Sequence, residues 1–479
     1  MSKVKTRSYP STSTPPVRSK RNLEEESCDE PMEGQELEVK VNETNNDVAM
    51  ETEKPDQKRQ QTDKKESGQS TIPDLNFPLP GETGPACIVK VYDEIDKFKV
   101  NDIVEFIGVL SVDPSLARFQ NESSEDNSMS VMEENTEELN AHEPPPSLVP
   151  RLHAVLCNHL EHVNPLVPSS PDDIKQVLSN TQSIITTLRE EILSVLEHAL
   201  FGDKLAAKYF LCHLLANVYG RSDVVPLGKC SINISNCPQS TVYADLLHHL
   251  ISNIVTQSHI LHMTLDNMNK LRFSPKKDYT ANRLCSGILQ LGSQTNFIID
   301  EVALQPGQLD VNGVKNIQAL GNVISWQKVQ YDFDFHHQDF LCNISALILS
   351  EGRSILPSDF FIPLQTKVSP SDIREYFQQL DPKLTDDFLV KCRTYIGLAR
   401  HMEYGLSDDV QKRMQDNFVS MRKEDPKSMS VDDFNSLLNL TRLLSLSELK
   451  SCPTIEIWNM AKVMENCRKQ RISELPQRQ

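Results

Sequence analysis

Phe297-Ile298-Ile299-Asp300-Glu301 is an apolar run closed by two acids, and its surroundings decide how the chain folds. The form is that of a Walker B element, in which the Asp holds the Mg²⁺ shell and the Glu orients or activates the attacking water. Acids also end many ordinary buried strands, so the run takes its meaning from its place in the chain. Upstream, Cys230–Ser235 (CSINIS) passes through a polar loop, Asn236–Ser240, into a helix read from Thr241 to about Val255. The first strand of a P-loop ATPase enters its phosphate loop and helix in the same way. Leu261–Leu265 reads as a strand, Val311–Trp326 as a helix, and Asn343–Leu349 as the strand after the acids. Strands alternating with helices predict an α/β fold with a mostly parallel sheet covered on both faces.

The residues that would do chemistry on this frame are missing. The loop Asn236, Cys237, Pro238, Gln239, Ser240, Thr241 contains no Gly and no Lys. A phosphate cradle needs glycines so that backbone N–H groups turn inward, and a Lys that reaches the β/γ-phosphates. Pro238 removes one donor outright. Gly228-Lys229 precedes the strand instead of ending the loop, and reads as a turn. After the strand at Asn343–Leu349, where an Asn often senses the γ-phosphate, stand Ser350-Glu351-Gly352-Arg353. Asp300 and Glu301 therefore read as a vestigial Walker B pair and 236–241 as a degenerate P-loop. No catalytic residue and no cofactor is expected.

Other constellations are weaker. His153, Cys157, His159 and His162 lie close in sequence but, read on a helix, divide between two faces, and the pairs His248-His249 and His336-His337 cannot share one ion from a regular element. No metal site is expected. Ser354 and Ser358 lack a nucleophile elbow. The eleven Cys include no CxxC pair, which predicts reduced thiols. A net charge of −18 argues against coating DNA and favours protein partners. No apolar run reaches the about 18 residues of a membrane-spanning helix.

Composition divides the chain. Residues 1–73 are rich in Ser, Thr, Pro, Glu, Lys and Gln and are expected to be a disordered head. Arg18, Lys20 and Arg21 within it are candidates for a nuclear-localisation signal. Residues 74–118 carry a strand at Ala86–Tyr92, a polar turn at Asp93–Lys97 and a β-rich run at Val100–Val112. Gly108 falls where a barrel strand could bend, so the segment reads as part of an OB-like barrel. Its missing strands are expected upstream of the first residue, or else it is a short hairpin packed on the next domain. Residues 119–146 form a linker with eight acids between 121 and 143, no Lys or Arg there, and then Pro144-Pro145-Pro146. The α/β core is assigned to 147–365, beginning with helices at Ile174–His198 and Lys204–Tyr219, and a helical lid to 366–479. In the lid, Ser430 and Asp433 make a capping-box-like start, with Phe434, Leu437, Leu438 and Thr441 along one face. Ile457, Met460, Ala461 and Met464 repeat that spacing after Pro453.

The stretches Leu75–Pro114, Pro146–Leu156 (PSLVPRLHAVL), Asp223–Pro238 (DVVPLGKCSINISNCP), Lys277–Leu291 and Ser350–Pro357 (SEGRSILP) closely resemble the minichromosome maintenance (MCM) complex-binding protein family. The resemblance runs from about Leu75 to near the C-terminus, in long and specific blocks. It implies a degenerate AAA+-like, MCM-related domain with a C-terminal helical lid, and a further folded segment upstream of this chain's first residue. It also implies a non-catalytic nuclear partner of MCM helicase subunits in DNA replication. Such a partner supports their assembly or promotes unloading from replicated chromatin, with links to sister-chromatid cohesion, mitosis and cell division. Helicase subunits present a Ser-Arg finger after the sensor strand. Here Leu356-Pro357-Ser358-Asp359-Phe360 puts Asp359 where the Arg would fall. The alternatives are an active AAA+ ATPase with an atypical phosphate loop, and a single-strand DNA binder using Tyr92, Phe98 and Phe106. Those aromatics are crowded by Asp93, Glu94, Asp96, Asp102 and Glu105, so direct nucleic-acid binding is not expected.

Overall fold

Gly108 is required by its neighbours in a small sheet: a Cβ on it would stand 2.1 Å from the His153 carbonyl oxygen. The computed structural model describes residues 5–6, 86–93, 97–111, 149–160, 162–168, 170–280, 282–424 and 430–475. The basic residues Arg18, Lys20 and Arg21, and the head and acidic linker apart from 5–6, lie outside the described residues. The small sheet comprises β1 (Lys5–Thr6), β2 (Ala86–Lys90), β3 (Val104–Ser111) and β4 (Arg151–His159), in the order β1-β2-β4-β3. The two strands read from sequence do not form a hairpin, because β4 lies between them, parallel to β2 and antiparallel to β3. A register shift at Ile107/Gly108 leaves Val155 without an opposite residue, and Val155 is largely exposed. The helical reading of His153–His159 is thus corrected. These residues occupy a strand, and His153 engages Tyr92 while His159 stacks on Phe98 at 5.0 Å.

Next come α1 (Pro171–Ala199) and α2 (Lys204–Leu215). Asp203 starts α2, its carboxylate accepting from the N–H groups of Leu205 at 3.0 Å and Ala206 at 3.1 Å. A hairpin, β5 (Gly220–Ser222) and β6 (Val225–Leu227), turns into the core strand β7 (Ile232–Ser235). Gly228 sits in this turn with φ +92°, where a Cβ would meet the Asn217 carbonyl at 2.5 Å. Then follow α3 (Thr241–Ile254), β8 (Ser258–His262), α4 (Leu265–Lys270), β9 (Lys276–Asp278), β10 (Arg283–Cys285) and β11 (Thr295–Asp300). The strand expected at Leu261–Leu265 begins and ends earlier, because Thr264 is already the cap of α4. Beyond β11 lie α5 (Val311–Trp326), β12 (Lys328–Asp332), β13 (His337–Leu341), β14 (Ile344–Leu349) and β15 (Phe360–Pro363). The chain continues through α6 (Ile373–Gln378), α7 (Asp386–His401), α8 (Asp408–Glu424), α9 (Val431–Ser447) and α10 (Ile455–Ser473). Ser430 and Asp433 do form the capping box of α9.

The central sheet has the order β15-β7-β14-β11-β8, and every pairing in it is parallel. Alternation along its strands separates two cores. Phe297, Ile299, Ala346 and Ile348 face Leu320, Val323 and Ile324 of α5. Ile298, Leu347, Ile232 and Ile234 join the other face, with α2, α3 and the C-terminal helices. Leu440, Leu443 and Trp458 lie in that second cluster, so α9 and α10 share the sheet's own core. A second sheet, β10-β9-β12-β13, flanks it. Val100 packs on that side, and the Asn101 amide donates to the Tyr331 hydroxyl at 3.3 Å, tying the small sheet to the core.

The last helix closes the fold electrostatically. Arg471 reaches back 268 residues to the buried Asp203 carboxylate, at 2.6 and 3.0 Å, and Gln365 N donates to the same group at 3.0 Å. Removing one partner of a buried pair leaves an uncompensated charge. Arg471→Ala is expected to cost about 3 kcal/mol in urea denaturation, and more than Asp203→Asn combined with it. His213 gives the pH dependence a sign. It is fully buried, its Nδ1 donates to the Cys230 carbonyl at 2.7 Å, and burial pulls its pKa from 6.5 down to about 4. Between those values the unfolded chain holds the proton and the folded one does not, so stability falls as pH falls through that window, by about 3 kcal/mol. A His213→Gln variant should show a flatter pH dependence there in the same denaturation series.

Candidate functional site

The carboxyl ends of β7, β11 and β14 converge at the point where chain order reverses across the sheet, the usual ligand position in open α/β sheets. The loop after β7 is held there by its own backbone. Asn236 takes a left-handed φ of 59°, a conformation Asn tolerates better than most residues. Its N–H donates to the Glu351 carbonyl at 3.0 Å, and the Cys237 N–H to the Ser350 carbonyl at 3.2 Å. Ser240 N bonds back to Pro238 O at 2.7 Å. The first two donors of the loop are therefore engaged by the segment after β14, and a third is turned back within the loop itself. Cys237 is buried, and burial pushes its thiol up to about 12.

Asp300 and Glu301 also reach this end of the sheet, each with protein partners. Asp300 is 1% exposed, and its Oδ2 accepts from His262 Nδ1 at 2.8 Å. His262 Nε2 lies 3.1 Å from Asp245 Oδ1 on α3, so the imidazole bridges two carboxylates. Asp300 Oδ1 has no hydrogen-bond partner. Burial raises the Asp300 pKa, and the His262 hydrogen bond works against that rise, helped by the Val302 and Ala303 N–H groups, which approach the carboxylate without giving Oδ1 a well-formed hydrogen bond. Glu301 accepts from the Ser354 hydroxyl through one oxygen and from Ile355 N, at 3.1 Å, through the other. Burial likewise raises its pKa, opposed by those two bonds. Both Glu301 oxygens thus help organise the loop 354–355.

Asp359 is bound in the same manner. It forms an ion pair with Lys229 and accepts from Ser231 N and Ser231 Oγ, both at 2.8 Å. A cleft of about 380 Å³ opens beside it, lined by Asn233, Arg353, Ser354, Phe361 and Arg468 among others, but not by the loop 236–241 or the two acids. Among the described residues no group of His, Cys, Asp and Glu has the arrangement of a metal site. Sequence reasoning missed His262, and it read Lys229 as part of a turn and Ser354 as lacking a nucleophile elbow, without their carboxylate partners. His262 was recoverable only from register, since β8 pairs His262 directly with Asp300.

These features define a mixed α/β protein, a parallel sheet with helices on both faces and a polar strand-end cluster knitted by internal hydrogen bonds. The chain belongs to the mini-chromosome maintenance replisome factor family, whose profile matches residues 1–472. It is 47% identical over 408 residues to the mini-chromosome maintenance complex-binding protein of Homo sapiens, covering 84% of this chain and 64% of that protein. The protein of the same name from Gallus gallus is 47% identical over 405 residues with the same coverage. The one from Drosophila melanogaster is 37% identical over 404 residues, covering 84% of this chain and 66% of its own length. The chain thus spans about two thirds or slightly less of these relatives. Glu301→Ala should lower stability by about 2 kcal/mol through loss of the two bonds to loop 354–355. Thermal denaturation measures this.

Proposed function

We propose that the chain is a non-catalytic partner of the MCM helicase, with a degenerate AAA+-like domain as its docking shape. The observation that carries this reading is the closed loop after β7, where Asn236 and Cys237 give their N–H groups to Glu351 and Ser350. The strand order supports an ATPase-derived frame, because the loop-bearing β7 and the acid-tipped β11 flank β14. The binding role draws on the relatives, each named a mini-chromosome maintenance complex-binding protein. On this reading Asp300 and Glu301 are remnants of a Walker B pair, 236–241 is a degenerate P-loop, and no nucleotide is turned over. Asp359, neutralised by Lys229, offers no Arg-type finger to a neighbour.

The division into an OB-like segment at 74–118, a core at 147–365 and a lid at 366–479 belongs to the same proposal, with β4 added to the β module from beyond the linker. The role is in DNA replication, in assembly of helicase subunits or their unloading from chromatin, with a part in sister-chromatid cohesion and a nuclear location. An active ATPase is the second reading, and the orphaned Asp300 Oδ1 is the observation in its favour. Single-strand DNA binding has less support, since Phe98 packs on Phe106 at 5.7 Å and Tyr92, though exposed, is left as a lone platform beside His153. Deleting residues 171–479 should abolish co-purification with MCM subunits from nuclear extract. Binding retained by residues 1–170 would contradict the docking role of the α/β domain, and ATP turnover reduced by Asp300→Asn would favour the second reading.

A further inference from the structure

Arg442 on α9 is 4% exposed, yet its Nε and Nη1 have no hydrogen-bond partner. Two guanidinium groups of the same core, Arg400 and the partly buried Arg468, have acceptors. Arg400 donates to the carbonyls of Leu214 and Gln294 and to the Asn296 amide oxygen, and Arg468 pairs with Glu465. Arg442 has instead the ring of Tyr219 at 4.3 Å and that of Tyr404 at 5.9 Å. Ring stacking attracts the cation but offers no acceptor for its N–H groups, so it offsets only part of the desolvation. The side chain lines a cavity of about 710 Å³, together with Tyr219, Tyr404, Glu403 and Cys452 among others. That volume falls in the range of small-ligand sites, and an apolar, aromatic wall with few polar groups is their usual lining.

The geometry points to a carboxylate-binding pocket, with Arg442 as its anchor and the two tyrosines as walls that hold the guanidinium plane. A guanidinium gives a carboxylate charge-assisted hydrogen bonds, and with Nε and Nη1 almost wholly inaccessible the contact falls to Nη2. One cation faces the cavity, and Glu403 shares its lining while pairing outward with Lys175 at 3.4 Å. A monoanionic carboxylate fits this balance, whereas a phosphate dianion meets like charge from Glu403. The pocket is separate from the strand-end cluster. It lies beside α7, whose Arg400 bonds to Gln294, the residue just before β11, at the amino ends of the strands. The inference is therefore independent of the docking role proposed above.

Calorimetric titration of the full chain with sodium acetate, an N-acetylated tetraalanine with a free C-terminal carboxylate and inorganic phosphate, at matched ionic strength, tests it. At least one carboxylate probe should bind more tightly than phosphate, and Arg442→Met should weaken that binding at least tenfold. A response to the peptide alone assigns the carboxylate to a protein chain, and a response to acetate as well extends the pocket to small free acids. Glu403→Gln should tighten binding several-fold, and the bound probe should slow alkylation of the exposed Cys452. These two readouts decide the matter if Arg442→Met fails to fold. Binding by neither carboxylate probe, unchanged affinity in Arg442→Met, or tighter binding of phosphate would overturn the assignment.

Discussion

A parallel sheet sealed on both faces leaves no polar surface along its strands, so polar chemistry has to gather at strand ends. Here all six residues of β11 and all six of β14 are buried. The helix α5 covers one face, and α2 and α3 with the C-terminal helices cover the other. Burial of this extent is the main favourable term in folding. It also fixes which ends of β7, β11 and β14 meet, because a one-residue slip would turn each apolar side chain to the opposite core. The loop 236–241, Asp300, Glu301 and the 350–359 segment come together as a consequence of that register.

Once gathered, these groups satisfy one another. Asn233, buried within β7, donates to Ser350 Oγ at 2.7 Å and accepts from Ser354 N at 3.3 Å. Glu301 holds the same loop from β11, and the 350–351 carbonyls in turn hold Asn236 and Cys237. Freeing two backbone donors for a phosphate would first break two hydrogen bonds of about 1 kcal/mol each. No Lys in the loop would compensate.

Much of this was readable from patterns. The run Phe297–Glu301 gave the central strand, and Val311–Trp326 gave the helix beside it with the same bounds. The chemistry of the loop followed from composition, since the absence of Gly and Lys needs no coordinates. What escaped depends on non-local pairing. The strand β4 lies in the small sheet although it follows the acidic stretch, and no local signal joins Arg151–His159 to Ala86–Lys90. The strand β13 is exposed along its whole length, so it lacks the alternation that marks a half-buried strand. His262 looks like one polar residue in an apolar run until β8 is laid beside β11. The Arg442 pocket was illegible for the same reason, its walls coming from residues 219, 404 and 442.

The tie between Asp203 and Arg471 bears on how the chain is made. A ribosome adding about 5–20 residues each second needs roughly 13–54 s to pass from one to the other. During that interval the carboxylate that starts α2 lacks its cationic partner, and the face awaiting α10 is uncovered. The emerging polypeptide can form its sheet but cannot seal it until α10 has been made. This makes nascent-chain chaperones a natural guardian of the open face, and loss of α10 especially damaging.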